Sequence, residues 1–379
     1  MYKCRHWLPL CLMLLVVTGC SALQPEPATP STQPAPPSAK PGIWAALPDL
    51  VSDGDMAVAK QAILGAKGQD LQGKDFSHVS LERMYDLTYD TGTRWPDAKK
   101  LPAGYDPGRA LSWGIDPGLG LRALHGQGID GRGVAVAVFD KPIRQTHQEF
   151  AERIHYLEVF PNDPKNGTFH FHGAATASIL AGQSIGVAPG ATLYYFAVPD
   201  NGENLSNYEV AMEQLLARNA VLPPVERIRV ISISDGYNEQ ITGREEIARW
   251  EKMIRTAESQ GIAVIHCSVA FAVPYDLTGA IPEKDRNNPD NYPGTGYRLL
   301  VPGYARTTAD NESDTAYAYW AKGGASWVAP YLAGLAALGL QVNPNATPQQ
   351  MYSLMLDTAT MNQKGLRILN PAGFVQRLK

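Results

Sequence analysis

The chain has 379 residues, of which 44% are hydrophobic and 18% are charged, the balance of a globular protein with a sizeable core. The formal net charge of −4 gives no sign of a nucleic-acid partner, so we expect none. Of four cysteines only Cys267 lies beyond residue 20, which excludes an internal disulfide in the body of the protein. Paired Cys and His spacing is also missing from the sequence, so we expect no zinc site.

The N-terminus has the pattern of a lipoprotein signal peptide. A short basic region with Lys3 and Arg5 precedes an apolar core at residues 7–17, too short to span a bilayer comfortably. The core runs into Val-Thr-Gly-Cys, which resembles a lipobox, the signal in which the cysteine is lipidated. We predict a signal peptide at residues 1–19 and a lipid anchor on Cys20 that holds the protein at a bilayer.

A proline-rich segment follows the predicted anchor. Residues 24–41 read QPEPATPSTQPAPPSAKP, a composition that cannot form a core and that favours extended polyproline II backbone. We predict that residues 20–42 tether the folded protein to the membrane. Ser21 stands where aspartate often signals inner-membrane retention, which favours the outer membrane, and a Gram-positive plasma membrane stays open.

The remainder of the chain divides into a weakly patterned part and a strongly patterned part. Residues 43–110 fit an N-terminal extension or a prosegment, and we favour the extension because no processing signal is visible. Residues 111–379 alternate between strand and helix patterns and are predicted to form the main domain.

Four apolar runs in the second part predict strands that are buried on both faces, at residues 134–139, 191–198, 229–233 and 262–265. Helices are predicted at residues 173–181, 208–218, 244–260 and 326–341. This alternation predicts an α/β fold with a doubly wound, mostly parallel sheet and helices on both faces. Functional residues are then expected at the carboxyl ends of the strands.

Three motifs place an aspartate, a histidine and a serine where a hydrolytic site could form. Asp140 follows the first apolar run, where a carboxylate can orient a histidine. His172 begins a helix of small residues, which can approach a sheet closely. Ser326 opens an apolar helix, so its backbone N–H lies at the positive helix end and can stabilise an oxyanion. Each motif alone also fits a structural role, such as a helix cap.

Together the motifs resemble those of the subtilases. GRGVAVAVFD at 131–140 resembles the family's aspartate block, and His172-Gly173 with its small-residue helix resembles the histidine block. IGVAPGATLYYFAV at 185–198 resembles the stretch that follows, and GASWVAPYLAG at 324–334 resembles the serine block. The order Asp, His, Ser is that of the subtilases. The resemblance implies a subtilisin-like fold and a serine endopeptidase acting on polypeptides.

The resemblance also implies roles for individual residues. Ser326 would be the nucleophile, His172 the general base and acid, and Asp140 the residue that orients His172.

The family binds its substrate as an added strand, here against Ser234, Asp235 and Gly236. Asp235 replaces a residue that is usually apolar, which predicts a preference for a basic substrate side chain.

No cofactor is required by this chemistry. Structural Ca²⁺ is common in the family, and the oxygen-rich loop at 285–291 could bind it, although a solvated polar turn explains the loop as well.

The main departure from the family concerns the oxyanion hole. Subtilases usually supply an asparagine side chain after the strand that corresponds to residues 262–265, and none follows it here. Ala270 lies near that position and Ser268 two residues before it, so Ser268 or a backbone amide would have to substitute.

Cys267, close by, fits either a buried structural thiol or a redox-sensitive group. A second departure is Lys141, which could lower the pKa of Asp140 or point to solvent.

We therefore expect an envelope serine endopeptidase that faces the periplasm or the exterior. The alternative is a weak or inactive subtilase-fold pseudoprotease that binds peptides or a partner protein, which the missing asparagine favours. A third possibility is an esterase that uses the same residues, because ester hydrolysis demands less of the oxyanion hole.

Overall fold

The computed structural model describes residues 65–199, 205–237, 242–267, 275–278, 284–294 and 299–379. The predicted signal peptide, the anchor at Cys20 and the tether lie outside these residues. Nine α-helices occur in the described part: α1 Leu81–Tyr85, α2 Pro107–Gly114, α3 Leu121–Gly126, α4 Phe171–Ala181, α5 Leu205–Val221, α6 Arg244–Ser259, α7 Ala325–Val342, α8 Pro348–Asp357 and α9 Pro371–Leu378.

The strands in the same part of the chain form three sheets. In chain order they are β1 Tyr89–Asp90, β2 Ala135–Asp140, β3 Ile154–Glu158, β4 Thr192–Ala197, β5 Ile228–Ile233, β6 Ala263–His266, β7 Tyr275–Thr278, β8 Leu299–Pro302, β9 Tyr304–Ala309, β10 Tyr317–Lys322, β11 Thr360–Met361 and β12 Arg367–Ile368. The sheets have the orders β3-β4-β2-β5-β6, β11-β12-β8-β7 and β1-β10-β9.

The five-stranded sheet confirms the predicted fold class. All its neighbouring strands are parallel, and β2, β4, β5 and β6 are the four predicted strands. The four predicted helices are α4 to α7. The strand β3 escaped prediction because it is an edge strand whose side chains are half-buried or exposed, so its sequence has no continuous apolar run.

Side chains of β2 alternate between two separate cores. Val136 and Val138 pack in the cluster that includes residues of α4 and α7. Ala135, Ala137 and Phe139 pack in the cluster that includes residues of α5 and α6. Because helices cover both faces, every position of this strand is apolar until Asp140.

Helix α7 contributes many residues to the core that contains Val136 and Val138 of β2. Among the described residues it is the one helix long and apolar enough, by length and composition, to cross a membrane. Its mean hydropathy is 1.3, but 78% of it is buried inside the fold, so it serves as a core helix here.

The N-terminal segment, residues 65–114, packs against the hairpin of β9 and β10. Strand β1 pairs with β10 in antiparallel fashion, with Tyr89 opposite Tyr319. Leu71 and Phe76 belong to a buried cluster that also contains Ala321 of β10. Helix α2 spans the predicted boundary at residue 110, because its side chains contribute to the same cluster. The segment therefore shares a core with the hairpin that leads to Ser326.

Replacing Gly114 with alanine should destabilise the protein, because α2 lies directly on β9 at this residue. A Cβ at Gly114 would lie 2.7 Å from the backbone nitrogen of Thr307, too close without a shift of the helix. We expect a loss of about 2 kcal/mol in the free energy of unfolding, measured by urea denaturation. The control is Gly126→Ala at the end of α3, where a Cβ would meet nothing within 4 Å. Equal stability of both variants would contradict this packing.

Candidate active site

Asp140 ends β2 and lies at the carboxyl edge of the central sheet. The residue is only 1% exposed. Its carboxylate accepts hydrogen bonds from Nδ1 of His172 at 2.9 Å, from Oγ1 of Thr176 at 2.9 Å and from the backbone N–H of Lys141 at 2.8 Å. The structure therefore joins two of the three predicted catalytic residues.

Burial and two neighbouring residues decide the ionisation of Asp140. Burial alone would raise its pKa, but the neighbouring His172 and the charge and backbone N–H of Lys141 lower it to about 2. Asp140 is therefore a carboxylate at neutral pH and can stabilise a protonated imidazole. The lysine that interrupts the family pattern contributes to this charge balance.

His172 is held at the start of α4. Its backbone N–H donates to Nδ1 of His170, the N-cap residue, at 3.3 Å. A Cβ at Gly173 would overlap the carbonyl of Lys141 and the hydroxyl of Tyr195, so only glycine lets α4 approach the end of β2 this closely. The glycine after the histidine thus brings the imidazole to Asp140.

Ser326 lies in the first turn of α7, at the same edge. Gly324, the N-cap residue, has a φ of 67°, which favours glycine. Ser326 Oγ donates to the carbonyl of Ser234 at 3.3 Å, and Ser234 Oγ donates to the carbonyl of Ser326 at 2.7 Å. Of the hydrogen bonds of these described residues, none joins Ser326 Oγ to His172. Ser326 is therefore held against the end of β5, with the ring of Trp327 beside that of His172 at 5.7 Å between centroids.

The predicted substrate segment follows β5. Ser234 contacts Ser326, as above, and Gly236 donates its N–H to Oδ1 of Asp235 at 2.8 Å. Oδ2 of Asp235 accepts from the hydroxyl of Tyr208 at 2.7 Å and lies 3.5 Å from Nζ of Lys141. The carboxylate of Asp235 thus already has three partners within the protein, including the cation of Lys141, which balances its charge.

The predicted oxyanion residues, Ser268 and Ala270, lie outside the described residues. Cys267, just before them, is described, and its backbone N–H donates to the carbonyl of Asp235 at 3.0 Å. Burial raises the pKa of its thiol well above the usual range. Cys267 is accordingly a neutral thiol at physiological pH, which agrees with the structural interpretation better than with the redox one.

His266 ends β6 and is buried. Burial lowers its pKa to about 4, and the nearby Glu251 offsets only part of this effect. The folded protein therefore keeps His266 neutral at pH values where the unfolded chain binds a proton. Stability from this residue is lost as the pH falls from about 6.5 to about 4, at most about 3 kcal/mol.

The variant His266→Asn should lose less stability than the wild type as the pH falls. We expect its free energy of unfolding to fall less than that of the wild type between pH 6.5 and pH 4, in urea titrations at several pH values. His155→Asn, at an exposed position, is the control and should keep the wild-type slope. An unchanged slope in His266→Asn would show that His266 is not buried as a neutral group.

The loop at 285–291 uses its oxygens within the protein. Oδ1 of Asp285 accepts from the N–H of Asn287 at 2.9 Å, and Oδ1 of Asp290 accepts from the N–H of Gln363 at 2.7 Å. No group of three or more His, Cys, Asp or Glu that could hold a metal occurs within the described residues. These contacts fit a polar turn, and Ca²⁺ at this loop stays a prediction.

Sequence reasoning missed two residues of the site. Thr176 lies four positions after His172, on the same face of α4, and this spacing could have identified it. Trp327 packs between the rings of His172 and Trp320, with centroid distances of 5.7 Å and 5.6 Å. Its position after Ser326 was visible, but its contact with the imidazole depends on how α4 and α7 pack.

The chain is similar in sequence to known subtilisin-like proteins. The model of the subtilase family matches residues 131–287. An extracellular serine proteinase of Thermus sp. (strain Rt41A) is 28% identical over 94% of this chain and 95% of that protein. Subtilisin Savinase of Lederbergia lenta is 27% identical over 66% of this chain and 92% of that protein.

A solved structure supports the fold independently. The prenylagaramide maturation protease PagA superposes with a TM-score of 0.52, covering 69% of this chain and 98% of that one, at 20% sequence identity. The described fold is thus subtilisin-like. The family match over residues 131–287 and the relatives above support a subtilisin-like serine protease.

Proposed function

We propose that the protein is a serine endopeptidase that cleaves polypeptides with Ser326 as nucleophile, His172 as general base and Asp140 as its orienting partner. The observation that carries the proposal is the contact of the buried Asp140 carboxylate with Nδ1 of His172 at 2.9 Å, at the sheet edge where Ser326 lies in the first turn of α7.

The hydrogen bond to Asp140 determines how the imidazole can act. When Nδ1 donates to the carboxylate, Nε2 carries the lone pair and can accept the hydroxyl proton of Ser326 as Oγ attacks the peptide carbonyl. His172 then gives this proton to the leaving amine, and the acyl group on Ser326 is released by water in the reverse sequence. Ser326 Oγ has to leave the carbonyl of Ser234 for this step, and catalytic hydrogen bonds often tighten only with substrate bound.

The oxyanion that forms on the substrate needs hydrogen-bond donors. The backbone N–H of Ser326 is one, because the first N–H groups of α7 have no partner within the helix. The family's asparagine is missing, and Ser268 or a backbone amide near Ala270 is proposed in its place. We propose that this substitute donates less well than the asparagine and that the enzyme is therefore slow, because loss of one such donor typically lowers turnover by about 10²- to 10³-fold.

The proposed location is the cell envelope. The lipobox-like sequence at Cys20 supports a lipid anchor with the folded protein facing the periplasm or the exterior. The Thermus relative, which is named an extracellular proteinase, supports a site of action outside the cytoplasm.

A pseudoprotease is the second candidate. Two observations favour it: the missing asparagine, and the hydrogen bond that directs Ser326 Oγ to Ser234 rather than to His172. Such a protein would bind a peptide against residues 234–236 without cleaving it. An esterase with the same residues is the third candidate.

One experiment separates the three candidates. The purified full chain is incubated with a peptide library and, in parallel, with a small activated ester, beside Ser326→Ala. Cleaved peptides found by mass spectrometry only with the wild type support the endopeptidase, and ester hydrolysis alone supports the esterase. Peptides retained uncut by both proteins indicate a pseudoprotease. A cleavage profile without basic preference would remove the predicted role of Asp235.

A further inference from the structure

Asn311 connects the two backbone segments that carry Asp140 and His172. It lies in the turn between β9 and β10. Its Nδ2 donates to the carbonyl of His170 at 2.7 Å, and its Oδ1 accepts from the N–H of Arg144 at 2.9 Å. Its own carbonyl accepts from Nε of Arg144 at 2.9 Å. One side-chain amide thus joins the start of α4 to the loop after β2.

Both joined segments bear directly on the imidazole and the carboxylate. His170 is the N-cap residue of α4, and its own N–H donates to the carbonyl of Pro142 at 2.9 Å. Arg144 lies four residues after Asp140 in the chain. A shift of either segment would change the distance from Nδ1 of His172 to Asp140, which the amide of Asn311 opposes.

A buried ion cluster fixes the turn that contains Asn311. Asp310 is 2% exposed, and its Oδ1 accepts from the N–H of Asn311 at 2.8 Å. Its Oδ2 pairs with Nζ of Lys67, which comes from the N-terminal segment. The same Nζ lies 3.6 Å from Oδ2 of Asp90. Without Lys67, two buried carboxylates would lose their cation, and a buried unpaired charge is costly.

We propose that Asn311 is a positioning residue for Asp140 and His172, and that Lys67 holds it through Asp310. The N-terminal segment is then a permanent part of the catalytic unit rather than a prosegment to be removed. Only the expected change in kcat rests on the proposed function, because the contacts themselves involve no substrate.

The first test is Asn311→Ala in the full chain, with a chromogenic peptide substrate. We expect kcat to fall by about 10- to 100-fold, because small displacements of catalytic groups have effects of this size, while KM stays near the wild-type value. The matched control is Asn343→Ala, at the opposite end of α7 from Ser326, which removes a similar side-chain bridge. Nδ2 of Asn343 donates to the carbonyl of Leu378 at 3.1 Å, and its Oδ1 accepts from the N–H of Asn345 at 3.1 Å. The control should keep the wild-type kcat.

The second test asks whether Lys67 acts through Asn311. Lys67→Met alone should lower kcat, measured well below its unfolding temperature, whereas Lys99→Met at an exposed position should not. In the double variant with Asn311→Ala, we expect no further loss of kcat, because both changes release the same turn. Independent, multiplying losses would contradict the proposed path from Lys67 to Asn311.

A spectroscopic test does not depend on turnover. The Nδ1 proton of His172, shared with Asp140, should give a downfield NMR resonance in the wild type. We expect Asn311→Ala to broaden or shift it and Asn343→Ala to leave it unchanged. An unaltered resonance in Asn311→Ala, or unaltered kcat, would overturn the inference. An inactive wild type would count against the proposed function alone, because the resonance would still decide the role of Asn311.

Discussion

Replacing Ser326 with alanine is expected to lower kcat for peptide hydrolysis by about 10³- to 10⁴-fold. Loss of a triad nucleophile typically lowers kcat by about 10⁶-fold. The wild type lacks the family's asparagine, so its own kcat should already be about 10²- to 10³-fold lower than that of an enzyme with the asparagine. The further fall in kcat caused by Ser326→Ala is smaller for this reason. The measurement is the initial rate of cleavage of a peptide identified from the library, followed by mass spectrometry.

Thermal unfolding provides the control for this variant. Ser326 is partly exposed, and its Oγ makes one long hydrogen bond, so Ser326→Ala should unfold within about 1 kcal/mol of the wild type. Ser259→Ala, at an exposed position on α6, should keep full activity. A Ser326→Ala protein that is folded and still cleaves at the wild-type rate would exclude Ser326 as nucleophile.

Replacing Asp140 with asparagine is expected to lower kcat by up to about 10⁴-fold, as the loss of this carboxylate does in other triads. The amide can donate to Nδ1 of His172 and favour the tautomer in which Nε2 carries the proton, so that Nε2 cannot accept one from Ser326. The rate of peptide cleavage at saturating substrate measures the effect.

The matched control for this change is Asp357→Asn, at an exposed position on α8, which should leave kcat unaltered. Because the pKa of Asp140 is about 2, its ionisation should not shape the pH profile of the wild type above about pH 4. An Asp140→Asn variant with wild-type kcat would show that His172 does not depend on this carboxylate.

The central sheet could be predicted because its strands are buried on both faces. An uninterrupted apolar run such as residues 134–139 is typical of a strand that helices cover on both sides, and the alternation with helices then defines the fold class. The short strands β1, β11 and β12 could not be predicted, since two-residue strands depend on partners far away in the chain.

The residues of the candidate site also differ in how well the sequence predicts them. Asp140, His172 and Ser326 carry local sequence signals and a family resemblance. Lys67 and Asp310, by contrast, are 243 residues apart, and nothing local in either sequence predicts their pairing. The contact of Asp235 with Lys141 also depends on the neighbouring positions of β2 and β5 in the sheet. Supporting contacts of this kind follow from tertiary packing rather than from local pattern.

Reaction of the purified full chain with a fluorophosphonate tests the central claim most directly, because only an activated serine is modified. We predict that the wild type is labelled, that peptide mapping places the label on Ser326, and that Ser326→Ala and Asp140→Asn remain unlabelled. Absence of label in a folded wild-type sample would contradict the proposed endopeptidase and leave the pseudoprotease as the better account.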